Sequence, residues 1–474
     1  MNRRAKIVAT LGPATSSYES IRAIIEAGVD VARMNLSHGS YEIHEEIYKT
    51  VRKVSADLGK SLGIFVDLQG PKIRLTKFRD GPVTLVKGAK FSITTDEIEG
   101  DINVCGTTFK GLPADVNVGD TLLIDDGKIR LRATEVTATT VITEVEIAGQ
   151  LSNNKGINLP GVAVNVPALS EKDEQDLRWA IKLGADMVAL SFVRNASDIT
   201  RVHEIMREEK RMLPVIAKIE KPQAVENLEE IIDAFDAIMV ARGDLGVELP
   251  LEQVPIVQKR AVELARRWAK PVIVATQMLE SMISASIPTR AETSDVANAV
   301  LDGADALMLS GETSVGSFPV ETVSTMARII QSTEENGLSR IPDLGTRPHT
   351  QGGAVSFAAM EIAELLGSKF VCVFTESGDS LRRISRLRSS VPVLSFTPNE
   401  QTARELSLVW GARTYLVPKV THTDAMFDQV DISVLDEGLC REGDEVVVVA
   451  GTPPGVSGST NTLRVHKVGT GASS

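Results

Sequence analysis

At 474 residues the chain is long enough for about three domains of the usual size of roughly 150 residues, and its 43% hydrophobic and 24% charged content is that of a globular protein. A net charge of −12 excludes nucleic acid as the main partner, yet a local cluster such as Arg33, Lys72, Arg74 and Lys218 still suits an anionic substrate. Cys105, Cys372 and Cys440 lie far apart without CxxC spacing, which supports neither a disulfide framework nor a zinc site, and no apolar run approaches a bilayer span, so the expectation is no membrane and a cytoplasmic location.

Eight short β-branched and aliphatic runs each end on a polar residue: 7–9 before Thr10, 29–32 before Arg33, 64–66 before Asp67, 187–190 before Ser191, 215–217 before Lys218, 238–241 before Arg242, 272–275 before Thr276, and 307–309 before Ser310. Strands buried on both faces lose the period of two and read as continuous apolar runs, which favours a parallel sheet. Eight of them separated by amphipathic stretches predict an α/β fold built on a (β/α)8 TIM barrel, whose chemistry sits at the carboxyl ends of the strands.

Between the third and fourth runs the texture changes. Residues 83–147 are rich in Thr and Val, alternate apolar with polar, and carry hairpin signals at Asp125-Asp126-Gly127 and Val118-Gly119-Asp120. They predict an inserted small β-barrel domain above the strand ends, placed as a lid, with Gly70-Pro71 and Pro167 as hinges. After Ile330 a polar linker, 336–353, leads to a third domain with strands near 370–375, 393–396, 414–417, 445–450 and 462–468 and helices between the first four, a C-terminal open α/β sheet. The expected domains are 1–69 with 169–337 for the barrel, 70–168 for the lid and 338–474 for the C-terminal unit.

Glu220 and Asp244 fall just beyond adjacent barrel runs, a pair suited to Mg²⁺ or Mn²⁺, since a hard cation of this kind takes one or two carboxylates and leaves its other positions to water and substrate oxygens. Lys218 is two residues before Glu220, so on an extended segment both side chains share a face, and an ammonium there can stabilise a developing oxyanion. Gly243-Asp244-Leu-Gly246 offers backbone N–H groups as an anion cradle. Gly59-Lys60-Ser61 lacks the first glycine of a P-loop, because Val54 stands there. In the last domain, Thr375, Ser377, Gly378 and Ser380 sit between an apolar strand and a helix start, a phosphate-binding arrangement in which Ser380 otherwise reads as a simple N-cap, and the loop 451–460 is placed to close over them.

The segments 6–15 (KIVATLGPAT), 32–39 (ARMNLSHG), 216–220 (IAKIE), 239–246 (MVARGDLG), 275–282 (ATQMLESM) and 309–313 (LSGET) together resemble pyruvate kinase, in order and across the whole chain. The resemblance implies phosphoryl transfer from phosphoenolpyruvate to ADP, giving pyruvate and ATP in glycolysis. By position it implies that Glu220 and Asp244 hold the divalent metal, Arg33 the phosphoryl group, and Lys218 the transferring group and the enolate oxygen. Gly243 and Thr276 would hold the carboxylate, Thr10, Pro13, Asn35, His38, Arg74 and Lys155 the nucleotide, and Thr276 with Ser310 the proton relay. Members that require K⁺ carry Thr-Lys after the third-strand Asp and a Glu shortly beyond. Here Leu68-Gln69 follow Asp67 and Lys72 replaces that Glu, so K⁺ is expected not to be required and Asn35, Ser37 and Asp67 to hold no ion or only an accessory one. The Trp and Arg of fructose-bisphosphate-regulated members are replaced around Thr452-Pro453-Pro454, which favours a sugar monophosphate or AMP as effector. Homotetramers are implied by the family. A Mg²⁺-dependent lyase and a non-catalytic sugar-phosphate sensor share several of these features; dependence on ADP separates the first, and the charged strand ends speak against the second.

Overall fold

The computed structural model describes residues 3–162, 167–454 and 458–470. The eight apolar runs are eight strands: β1 (Lys6–Thr10), β2 (Val31–Asn35), β3 (Gly63–Asp67), β4 (Met187–Leu190), β5 (Val215–Ile219), β6 (Ala237–Ala241), β7 (Val272–Ala275) and β8 (Ala306–Leu309). Each pairs in parallel with the next, and β8 pairs with β1 to close the barrel. Side chains alternate between the barrel interior (Val8, Phe65, Ala189, Ile216, Met239, Ile273, Met308) and the layer beneath the surrounding helices (Ile7, Ile64, Val188, Ala217, Ile238, Val274, Leu307). Both faces are therefore dry, and this is why the sequence shows unbroken apolar runs.

The insertion is assembled from a six-stranded sheet and a two-stranded ribbon of Val83–Leu85 with Gly149–Leu151, around one core containing Leu85, Phe91, Leu122, Leu131, Val145 and Leu151. Its β texture runs on to the strand Ile157–Asn158 and is interrupted by a helical turn at Leu112–Asp115, neither of which the alternation revealed. Asp125 and Asp126 take positive φ of 55° and 57° between the strands Thr121–Ile124 and Ile129–Val136, as a tight hairpin turn demands. The Val118-Gly119-Asp120 signal is a turn leading into a strand and not a hairpin.

The C-terminal sheet has the order (Ala412–Leu416), (Val393–Thr397), (Val371–Phe374), (Glu445–Gly451), (Thr460–Lys467), parallel except for the last pair. The loop expected to close over 375–380 is described except for residues 455–457, which lie outside the described residues. This domain forms the floor of the barrel. Leu408, only 1% exposed, belongs to the same cluster as the interior barrel side chains. Around it, Ser407 Oγ accepts from Gly63 N at 3.0 Å, and Asp305 accepts from Trp410 N at 3.0 Å and pairs with Arg388 at 2.8 Å.

Because Leu408 fills space that barrel side chains cannot reach, Leu408→Ala is expected to cost about 2–5 kcal/mol in urea unfolding, the usual range for a large-to-small core change. A second outcome concerns Glu405, half-buried at the same junction. Burial pushes its carboxyl up to about 7, against the pull of the Gln401 hydrogen bond and of Arg382. The folded state thus holds that proton more tightly than the unfolded chain does. The resulting stabilisation is complete below the ordinary glutamate value of 4.5 and is lost as the pH rises through about 7. Glu405→Gln should therefore melt above the wild type at pH 8 and show little difference at pH 4.5.

Candidate active site

On six of the eight strands, counting by twos along the inward-facing positions carries the apolar interior to a polar top layer, whereas on β6 and β7 the same step reaches Ala241 and Ala275. Val8 leads to Thr10, Val31 to Arg33, Phe65 to Asp67, Ala189 to Ser191, Ile216 to Lys218 and Met308 to Ser310. The barrel register thus places these side chains at one mouth. Arg33 grips Asp67 Oδ2 through Nη2 at 2.7 Å and Nε at 2.8 Å, and donates from Nη1 to Thr10 Oγ1 at 3.0 Å. The Lys218 ammonium donates to Ser191 Oγ at 2.7 Å and lies 2.9 Å from Glu220 Oε1 and 3.3 Å from Asp67 Oδ1. Ser191 gives its own proton to Leu68 O at 2.7 Å, so its lone pairs face the ammonium. Asn35 lies beside Asp67 in the β2–β3 register.

Burial alone would pull the Lys218 ammonium down, but the carboxylates of Asp67 and Glu220 outweigh it and hold the charge well above the ordinary lysine range. Asp67 is likewise opposed by burial and held below its ordinary value by Lys218 and Arg33. Glu220 goes the other way. Its burial is relieved only in part by Lys218 and aggravated by the neighbouring charge of Asp244, so its carboxyl is raised. Glu220 Oε2 accepts from Phe192 N at 2.8 Å, whereas Glu220 Oε1 and Asp67 Oδ1 are buried without a hydrogen bond of good geometry. Carboxylate oxygens left in that condition, with Asp244 close enough to raise Glu220, fit a divalent cation better than they fit the bare protein. Among the described residues no group of three or more His, Cys, Asp or Glu offers a full cage, so a cation here depends on water and substrate for its remaining ligands.

Arg242-Gly243-Asp244 is the first turn of a helix, Arg242–Glu248, and not an open loop. The Gly243 N–H is taken, donating to Thr276 Oγ1 at 2.7 Å. An anion cradle therefore falls to the next N–H groups, which helix geometry leaves without intrahelical partners. Arg242 braces this corner by pairing with Asp295 at 2.7 Å and donating to Thr276 O at 2.8 Å. Thr276 and Gln277 hold positive φ of 73° and 54°, and Phe192 55°, all just past strand ends at the mouth; non-glycine residues in that region are strained and must be over-determined by their surroundings.

Between mouth and lid lies a cavity of about 470 Å³ lined by Ser37, His38, Lys72, Arg74, Lys155 and Asp244, among others. Lys155 pairs with Asp125 at 2.8 Å and Arg74 donates to Asn154 O at 3.0 Å, so two of the expected nucleotide contacts are anchored in the lid. Pro13 opens a short 3₁₀ turn after β1, and Ser310 Oγ is buried without a hydrogen-bond partner. In the C-terminal domain Thr375 Oγ1 accepts from Gly378 N at 2.9 Å, and Ser380 meets Thr460 at 2.5 Å instead of capping its helix. Thr375, Ser377 and Ser380 line one small cavity of about 50 Å³.

Sequence reasoning missed the lid tie. Asn158 donates to Glu248 Oε1 at 3.1 Å, and Glu248 pairs with Lys221 at 2.5 Å. One available signal was that Glu248 stands one helical turn beyond Asp244. It also missed that Ser191 shares the Lys218 ammonium, although the inward parity of β4 contained that information.

A closed (β/α)8 barrel with a β insertion after its third strand, an α/β domain on its floor, and Arg, Lys and carboxylates at its mouth defines a barrel enzyme for an anionic substrate. The family model for the pyruvate kinase barrel domain matches residues 2–323, and that for the pyruvate kinase alpha/beta domain matches residues 353–466. Pyruvate kinase of Corynebacterium glutamicum is 55% identical over 469 residues, covering 99% of this chain and 98% of the relative, and that of Mycobacterium tuberculosis is 54% identical over 99% of both. The crystal structure of a pyruvate kinase from Cryptosporidium parvum superposes with a TM-score of 0.93 at 33% identity, over 98% of this chain and 96% of that one. The chain belongs to the pyruvate kinase family, a family of phosphotransferases.

Thr276→Val should leave the Gly243 N–H without its acceptor and lower stability by about 1–3 kcal/mol, while Thr276→Ser should restore most of the loss; thermal unfolding of the pair checks this.

Proposed function

We propose that this enzyme transfers the phosphoryl group of phosphoenolpyruvate to ADP in the cavity between barrel mouth and lid. The P–O bond to the enolate breaks as a new one forms to the β-phosphate of ADP, and the enolate then takes a proton to give pyruvate. The observation that carries this reading is the Lys218 ammonium suspended between Asp67 and Glu220, next to the Arg33 guanidinium that shares Asp67. Transfer of this kind is aided chiefly by alignment and by neutralising the moving charge, which an Arg and a Lys with fixed positions supply.

In this reading Arg33 binds the phosphoryl group, and Lys218 holds the transferring group and the enolate oxygen. The helix start at Gly243 and Asp244, with Thr276, orients the carboxylate, and Thr10, Pro13, Asn35, His38, Arg74 and Lys155 receive the nucleotide. Thr276, with Ser310 behind it, delivers the proton. Mg²⁺ or Mn²⁺ held by Glu220 and Asp244 would supply further charge neutralisation at the phosphoryl oxygens. Lys72, which lines the cavity, provides the charge that K⁺ supplies elsewhere, so Asn35, Ser37 and Asp67 need hold no monovalent ion. The reading further includes control by a sugar monophosphate or AMP at Thr375, Ser377, Gly378 and Ser380, a homotetramer, a cytoplasmic location, and domains of 1–69 with 169–337, 70–168 and 338–474. No helix among the described residues is long and apolar enough to cross a membrane.

A coupled assay for pyruvate tests the reaction and its ions together. Turnover should require ADP and a divalent cation and should persist when K⁺ is replaced by tetramethylammonium. Pyruvate release without ADP would overturn the transfer reading, and loss of activity without K⁺ would overturn the role of Lys72.

A further inference from the structure

At the opposite end of the barrel from the mouth, a small cleft between the barrel floor and the C-terminal domain is lined by Arg266, Lys270, Arg382, Arg386 and Arg388, with Asp305 the one carboxylate. Arg266 and Arg388 form its base at 3% and 5% exposure, and the other three cations are half-buried at its rim. Their hydrogen bonds go almost wholly to neutral acceptors. Arg266 donates to Pro342 O and Arg386 O, Arg386 to Arg267 O, Lys270 to Phe235 O, and Arg388 to Gly303 O as well as to Asp305. Backbone carbonyls satisfy N–H groups without cancelling charge, so the cleft lining sets five cations against one carboxylate, and the further counter-charges, Asp236 near Lys270, Asp343 near Arg266, Asp379 near Arg386 and Glu405 near Arg382, stand outside that lining. Buried like charges are costly unless a counter-ion joins them. Arg266 Nε and Arg386 Nε remain buried donors with no partner. The strain of crowding has the same sense. Burial first, and then the neighbouring Arg388, pull the Arg266 guanidinium down to about 10.

We propose that this interdomain cleft is an anion site that takes a phosphate group, either free phosphate or the head of a small phosphomonoester. The free interior is only about 10 Å³, so the long rim side chains of Lys270, Arg382 and Arg386 swing aside to admit the group and close on its oxygens, while Arg266 and Arg388 meet it from below. Guanidinium groups suit the task because their donors match phosphate geometry two at a time. The site is separate from the 375–380 loop but tied to it, since Arg382 Nη2 donates to Ser377 O at 3.1 Å. An anion drawing Arg382 inward would release that loop, and it would also fasten the C-terminal domain to the floor that Leu408 fills.

The test uses the full chain carrying Ser377→Ala and Ser380→Ala, so that binding at the 375–380 loop does not mask the cleft. Calorimetric titration with inorganic phosphate and, separately, with glycerol 3-phosphate should show saturable binding. Adding Lys270→Gln and Arg386→Gln should weaken it by about tenfold or more, a difference of about 1.4 kcal/mol per decade. Lys270→Gln alone, whose side chain gives up only the Phe235 carbonyl, should weaken binding in the same direction and guards against misfolding of the double change. Much tighter binding of glycerol 3-phosphate identifies a phosphomonoester site, and equal binding a site for free phosphate. Binding unchanged by the rim substitutions, or none in the parent chain at millimolar concentrations, would overturn the proposal. Because the readout is binding and not turnover, its failure leaves the phosphoryl-transfer reading untouched.

Discussion

Four charged side chains at the barrel mouth depend on one another. Asp67 is shared by Arg33 and Lys218, and Lys218 in turn is shared by Asp67, Glu220 and the lone pairs of Ser191. Asp67 and Glu220 are each about 1% exposed, so removing Lys218 would leave Glu220 a buried carboxylate without its cation, at a cost of several kcal/mol, whereas Asp67 keeps one partner if either cation is lost. The barrel exists, in effect, to hold these groups at fixed spacing. Arg33, Asp67 and Lys218 come from β2, β3 and β5, Glu220 directly follows β5 and Ser191 directly follows β4, and parallel pairing between neighbours fixes each strand end relative to the next. Strain at Phe192, Thr276 and Gln277 is tolerated because strand pairing and the buried hydrogen bonds around them allow no easier path.

The floor of the barrel is as consequential as its mouth. Leu408 completes an interior that the strands leave short of side chains, and the surrounding bonds of Ser407, Trp410 and Arg388 to Gly63 and Asp305 make the C-terminal domain part of the barrel's packing. Close-packed interiors transmit displacement because they have no slack to absorb it. The interior cluster that Leu408 joins includes Ile216, two residues before Lys218 on the same strand, so one packed column runs from this floor to the mouth.

Much of this was legible in the sequence for a simple reason. Runs such as 272–275 and 187–190 are apolar throughout because both faces of the strand are dry, and on six of the eight strands a polar residue two steps beyond an inward side chain, such as Ser191 after Ala189, marks the mouth. The pairing of Lys218 with Glu220 followed from strand periodicity alone. Other features had no local signature. The Gly243 N–H looked free because Thr276, 33 residues away, is its acceptor, and Gly63 meets Ser407 across 344 residues. Leu406-Ser-Leu408 reads as an ordinary turn between a helix and a strand, and nothing near it in the chain announces a barrel interior. The Asn158–Glu248–Lys221 tie joins the lid to two barrel loops and was equally invisible to a reading along one strand or helix.

The most direct measurement of the central claim is steady-state and binding analysis of Lys218→Met. If the ammonium stabilises charge that develops only during transfer, kcat should fall by about 10²- to 10³-fold, while phosphoenolpyruvate and Mn²⁺ still bind with affinities close to those of the wild type. A variant that turns over at the wild-type rate, or one that loses substrate binding and keeps its kcat, would contradict the account.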